Sequence, residues 1–212
     1  MRKRSRSCAP NFRDWFTLKT KTSDGGGVRR DETGEKPALT ERGGSAIIGD
    51  PLAKLQTDIR DDALKQDYAR DLFHYWCEVC GEAAIPPLSA IDPTRLPRAC
   101  LPYLSVLEVE QSPLRLRSRL TGSALVDQLG LNQTGHYLDE YPGMAGQIER
   151  MAWCVREQRP YLVEDELTFG PHDYKRYQVL VLPFGNSGCG VQRLVGTFCF
   201  MEGFDPVRTW TR

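Results

Sequence analysis

Tyr177-Gln-Val-Leu-Val-Leu182 carries apolar side chains on both faces of a strand from Val179 onward, and Leu194-Val-Gly-Thr-Phe-Cys-Phe200 mixes its faces in the same way. A sheet wet on one side alternates cleanly between apolar and polar residues. This pattern therefore requires a sheet whose centre is covered on both faces. The other strands are shorter. Tyr103–Val109 alternates, and in Leu114–Leu120 residues Leu114, Leu116 and Leu120 face one way while Arg115, Arg117 and Arg119 face the other. Gln111-Ser-Pro113 turns between them. Strands are also expected over Tyr161–Phe169, Tyr174–Pro183 and Val191–Met201, with Gly185–Gly190 as the hairpin loop of the last two.

Two kinds of helix can supply the covers. Ile59–Cys80 shows a helical stripe through Ala63, Leu64, Tyr68, Leu72, Phe73, Trp76, Val79 and Cys80, stopped by Gly81. It is the natural cover for the rear of the sheet, within its own chain or on a partner. Ser123–Leu129, closed by Gly130, and Met144–Gln158, with Ile148, Met151, Ala152 and Val155 on one face, lie between the second and third strands. They suit the front. The prolines of Ile85–Pro97 forbid a continuous helix or ladder there, although Asp92-Pro93 can open one helical turn.

At 212 residues the chain suits one well-packed domain with extensions. The net charge is zero but unevenly placed. Residues 1–30 hold nine Lys or Arg against two Asp, leaving nineteen basic against twenty-six acidic residues in the remainder. Such an arm can touch nucleic acid or anionic lipid, or stay a solvated tail. The charge-rich, Gly-rich composition of residues 1–55 points to disorder, with order expected from about Asp58. No apolar run reaches the roughly 18 residues of a membrane span, and no apolar core follows Met1-Arg-Lys-Arg4 as in a secretory signal. Seven cysteines, an odd number, argue for reduced thiols rather than a disulfide framework. A cytoplasmic protein is expected.

Several stretches, in order, resemble a PAS domain, and more narrowly a PAS-like family found mainly in alphaproteobacteria. They are Tyr75-Trp76, Leu88–Leu96, Leu101-Pro-Tyr-Leu104, Arg117-Ser-Arg-Leu-Thr-Gly122, Gly130–Gly135, Tyr177–Phe184 and Val191–Gly196. The resemblance implies an α+β fold: a five-stranded antiparallel sheet with short helices on one face, preceded by the amphipathic helix. The expected layout is a basic arm over 1–55, helix and Pro-rich connector over 56–100, a PAS-like core over 101–204 and a tail over 205–212. The implied role is non-enzymatic sensing or adaptor function in signal transduction. The resemblance implies no cofactor, a homodimer, and contact with a histidine kinase or another signalling protein. A small-molecule ligand in the cavity is the alternative.

No group of residues marks a reaction. Cys77 and Cys80 with His74 sit near a helix carboxy-terminus, the wrong end for an activated thiol, and lack the four ligands of a structural zinc. His136 and His172 have no partner that suggests haem or base catalysis. A photoactive flavin would need a cysteine where Ser123–Leu129 has none. Glu164 and Glu166 share a strand face toward solvent, and the glycines Gly185, Gly188 and Gly190 lack the Lys-Ser/Thr of a phosphate loop. The Arg115–Arg119 strip has no interleaved aromatics, so nucleic acid is not the expected partner. Arg119, beside the turn at Gly122, could hold an anionic ligand bidentately, with Tyr103 adding a hydroxyl. Tyr103, Arg119 and Gly122 are therefore the candidate ligand-binding residues. Leu64, Tyr68, Leu72, Phe73 and Trp76 are the candidate dimer interface.

Overall fold

The computed structural model describes residues 50–166, 176–186 and 188–201, all within the unit Ile48–Arg212. Residues 1–49 of the expected arm, the expected tail, the strand beyond Glu166 and His172 lie outside the described residues. Five strands form one antiparallel sheet: β1 Leu104–Gln111, β2 Leu114–Thr121, β3 Tyr161–Glu166, β4 Arg176–Asn186 and β5 Gly190–Phe200, in the spatial order β2-β1-β5-β4-β3. Three helices accompany them: α1 Asp67–Cys80, α2 Ser123–Leu129 and α3 Ala145–Glu157.

The two-sided apolar pattern of β4 and β5 is satisfied from both directions. Leu162, Leu180, Leu182, Phe184 and Val195 point to the rear, where they meet Leu64, Leu72 and Trp76. Val163, Val179, Val181 and Leu194 point to the front, against Leu125, Leu129, Met151 and Cys154. Trp76, 8 % exposed, also donates its indole N–H to the carbonyl of Pro183 at 2.9 Å. The leading helix therefore covers the chain's own sheet, and its central tryptophan is hydrogen-bonded to the strand beneath it.

α1 begins later than the stripe from Ile59 suggests. Gln178, the one polar side chain on the rear of β4's centre, is 2 % exposed. It accepts from the Lys65 N–H and donates to the Ala63 carbonyl, each at 3.0 Å, with Glu164 as a further acceptor. Satisfying that buried amide holds Ala63–Lys65 outside a helix, and Ala63 closes only a short 3-10 turn. Order also starts before Asp58. Pro51–Lys54 forms a turn capped by the Asp50 carboxylate, Leu55 packs on the front core, and Gln56 pairs with Leu162 on the edge of β3.

A bulge opposite Val106 and Leu107 breaks the alternation expected in β2. Leu107 pairs with Ser118 and Val106 with Leu120, so Arg119 is the inserted residue. The extra residue turns Leu120 to the rear face, where it is 44 % exposed. Ser118 takes the interior position instead.

Replacing Trp76 by Phe keeps most of the packing but leaves the Pro183 carbonyl without its indole donor. We expect a loss of about 1 kcal/mol, against roughly 3–5 kcal/mol for Trp76→Ala. Urea midpoints at unchanged slope measure both. A Trp76→Ala protein as stable as wild type would remove α1 from the core.

Candidate functional site

The front of the sheet and α3 enclose a small space, and its chemistry follows from how α3 is rotated. The apolar stripe read from sequence put Ile148, Met151, Ala152 and Val155 inward. The buried positions are instead Gln147, Arg150, Met151 and Cys154, again at helical spacing but shifted in phase. Ile148, Trp153 and Val155 pack only partly against the core. Two polar side chains thereby enter the interior. The signal that could have found them is Met144, Met151 and Cys154, whose spacing shares a face with Gln147.

The enclosed volume is about 20 Å³, room for a single water molecule. Leu107, Leu129, Leu138, Met151, Val179 and Phe198 supply its apolar walls, and Ser105, Gln133, Gln147, Arg150, Tyr161 and Tyr177 its polar ones. Arg150, 3 % exposed, pairs with Asp165 at 2.9 Å. Lys54 holds the other oxygen of the same carboxylate at 2.6 Å. Gln147 turns its amide nitrogen to the carbonyls of Gly143 and Met144, 3.1 and 3.3 Å away, and its amide lies 3.5 Å from the Tyr177 hydroxyl. Gln133, 5 % exposed, has no partner for its amide nitrogen within the described residues.

Burial dominates the titrations. It pushes the Tyr161 phenol well up, and raises Tyr177 against the opposing charge of Arg150. The Cys154 thiol behind the wall is likewise raised by burial. On the rear, burial lifts Cys100 to about 11. These groups stay protonated near neutral pH, so the phenols lining the space offer hydrogen-bond donors rather than bases. Asp165 behaves differently. Burial works to raise it, but hydrogen bonds from Lys54 and the Glu166 N–H, with the charges of Arg150 and Lys54, hold its carboxyl below the usual range.

None of the three candidate ligand-binding residues lines this space. Tyr103 stacks on Tyr68 with ring centroids 4.5 Å apart. Arg119 stands in the bulge, exposed, 3.7 Å from Glu108, which Arg193 also holds at 2.9 Å. Gly122 is needed for a different reason. A Cβ there would run into the carbonyls of Leu101 and Pro102, and its N–H donates to the Leu104 carbonyl at 2.7 Å. The Arg strip is drawn into local contacts: Arg115 is bidentate on Asp139, stacks on Tyr137 at 3.7 Å, and Tyr137 donates to Glu110.

Of the candidate interface residues, Leu64, Leu72 and Trp76 are buried against the chain's own sheet. Tyr68 donates to the Phe198 carbonyl at 2.8 Å, and Phe73 stacks on Trp76. Only Tyr68 and Phe73 of the five remain half-buried. His74 contacts Asp61 at 2.8 Å and His136 contacts Glu140 at 3.1 Å. Among the described residues no helix is long and apolar enough to cross a membrane.

Two outcomes follow for the polar wall. Gln133→Leu removes a buried donor that has no protein acceptor, and a gain of about 1 kcal/mol in urea stability is expected. A loss of that size would show the amide to be satisfied in solution. Because the Asp165 carboxyl is depressed on folding, its contribution is complete above the ordinary carboxylate value of about 3.9 and disappears as pH falls through the lower folded value. The stability gap between wild type and Asp165→Asn is therefore expected to be widest near neutral pH and to close in acid. A gap that stays constant down to about pH 2 would contradict the assignment.

No curated protein matches the chain. Among solved structures it is similar to the PAS domain of the histidine kinase ThkA, with 13% identity over 45% of this chain and 97% of that one, at a TM-score of 0.33. A fungal LOV domain photoreceptor aligns at 15% identity over 47% of this chain and 75% of its own, at a TM-score of 0.35. An RNA-binding light-oxygen-voltage receptor aligns at 14% identity over 55% of this chain but only 36% of its own length, at a TM-score of 0.36. The sequence profile of the PAS domain matches residues 64–199. That stretch takes in α1, the connector, β1 to β4 and β5 as far as Cys199, and the chain belongs to the PAS domain family.

Proposed function

We propose that the chain is a non-enzymatic PAS-type sensory or adaptor protein of signal transduction, acting in the cytoplasm through protein–protein contacts. PAS family membership supports the sensory role. The observation that carries the adaptor reading is the front interior, where side chains leave about 20 Å³. A space that admits one water is far below the several hundred Å³ of a metabolite-sized site, and this supports the adaptor reading. The raised phenols, which supply no base near neutral pH, support the non-enzymatic part of the reading. A homodimer and a histidine kinase or other signalling protein are the partners that fit it.

Small-molecule capture is the second reading, and one observation favours it. The unpaired Gln133 amide and the buried Arg150 present donors to the same enclosed space. Native mass spectrometry of the purified full-length chain separates the two. The adaptor reading expects the mass of the polypeptide, alone or as an integral oligomer. A stoichiometric non-covalent guest, released on mild activation, would overturn it in favour of capture.

A further inference from the structure

One carboxylate is shared between the wall of the front interior and the segment that leads into the domain. Asp165 lies on β3 and accepts from two cations on its two oxygens. Arg150 of α3, which lines the interior, holds Oδ2 at 2.9 Å. Lys54, from the turn Pro51–Lys54, holds Oδ1 at 2.6 Å. The Arg150 side chain is 4% exposed and that of Asp165 14%, whereas that of Lys54 is 58% exposed. The pair on the interior side is thus deep, and the Lys54 contact lies at the surface.

Beyond that carboxylate the segment packs on α3 and β3 and makes one backbone bridge. Gln56 and Leu162 exchange both backbone hydrogen bonds at 2.9 Å, as an isolated bridge rather than a ladder. Pro51, Leu52 and Leu55 are each half-buried, Leu55 against the front core, while Ala53, Lys54 and Gln56 are exposed. Segments with little apolar burial and exposed hydrogen bonds open locally, well below the free energy of global unfolding. Arg150 on one oxygen fixes the orientation of the Asp165 carboxylate, and with it the position of the oxygen that receives Lys54, so the two contacts depend on each other.

The geometry points to a releasable strap: residues Pro51–Gln56 are held down through Asp165, which couples their docking to the placement of Arg150 in the interior wall. The inference rests on the reading that this domain acts by a change of contacts. It supplies the element whose two positions would constitute that change, docked on β3 or released. Coupling of this kind is reciprocal. Anything that captures the strap loosens Arg150, and anything that repositions Arg150 frees the strap together with the backbone edge of Leu162.

Hydrogen exchange on the full-length chain tests this at the amides of Gln56 and Leu162, with Val181 and Val195 in the sheet centre as internal references. Lys54→Gln and Asp165→Asn are expected to accelerate exchange of the Gln56 and Leu162 amides by about tenfold, with the references unchanged. The decisive variant is Arg150→Gln, whose ion pair is with Asp165 and not with the strap. It should accelerate the Gln56 amide to a comparable degree. In Lys54→Gln/Arg150→Gln the two effects should not add. If Lys54→Gln accelerates Gln56 while the Arg150 variant leaves it at the wild-type rate, the strap is held locally and the coupling is refuted. No acceleration in any variant refutes the strap itself. Should Arg150→Gln also deprotect the references, Arg150→Lys replaces it; a smaller acceleration at Gln56 is then expected, and none would refute the coupling. A bound guest seen by mass would overturn the adaptor reading whatever these rates are.

Discussion

The fold depends on one requirement: the middle of a small twisted sheet must be kept dry on both sides. β4 presents Val179 and Val181 forward and Leu180, Leu182 and Phe184 backward, and none of these side chains tolerates water. Everything else in the domain can be understood as a response. α2 and α3 close the front, while α1 with the proline-rich connector closes the rear. The rear cover is specific as well as apolar, because the Trp76 indole finds the Pro183 carbonyl and the Gln178 amide finds Ala63 and Lys65. Sliding α1 along the sheet would leave those polar groups buried without partners, which costs more than an apolar contact returns.

With both sides sealed by the chain itself, the interior is small and its polar residues stand out. Arg150 and Gln147 occupy positions on α3 that an amphipathic helix would ordinarily give to Leu or Ile. Arg150 is tolerated there because Asp165 meets it at 2.9 Å, and a buried guanidinium without such a counter-ion would be strongly destabilising. The arrangement concentrates charge at one end of an otherwise oily space. Among the described residues, it also places the one deep ion pair of the front side next to the entrance of the leading segment. The interior wall and the leading segment share a carboxylate, which is the contact on which the proposed strap rests.

The sequence made the architecture legible where local rules and burial agree. Ser123–Leu129 is a helix to the residue, because Gly130 adopts the left-handed conformation that closes it. The two-sided pattern of β4 and β5 correctly implied a cover on each face, and the family resemblance placed the strands in order. Local reading failed wherever a distant residue decided the outcome. The start of α1 is set by Gln178, more than a hundred positions away in sequence. The phase of α3 is set by Asp165, which makes an arginine an interior residue. Period-two alternation in β2 missed the bulge and therefore placed Leu120 on the wrong face. Tyr103, Arg119 and Gly122 stand apart from the interior space that Gln147 and Arg150 line. An arginine beside a turn is visible in sequence, whereas an arginine held inside by a carboxylate on another strand is not.

The bulge in β2 has a consequence for how such a sheet can grow. A flat, regular border strand is a template on which another chain can extend the hydrogen-bonding. Here the inserted Arg119 kinks the border, and the His136 and Gly135 backbone already occupies Ser118 on its outer side. Charged side chains at Arg115 and Arg117 flank the remainder. The β2 margin is thereby terminated, and stacking of copies into a continuous ribbon is blocked at that end. Among the described residues the opposite margin, β3, is met only by the Gln56 bridge at Leu162.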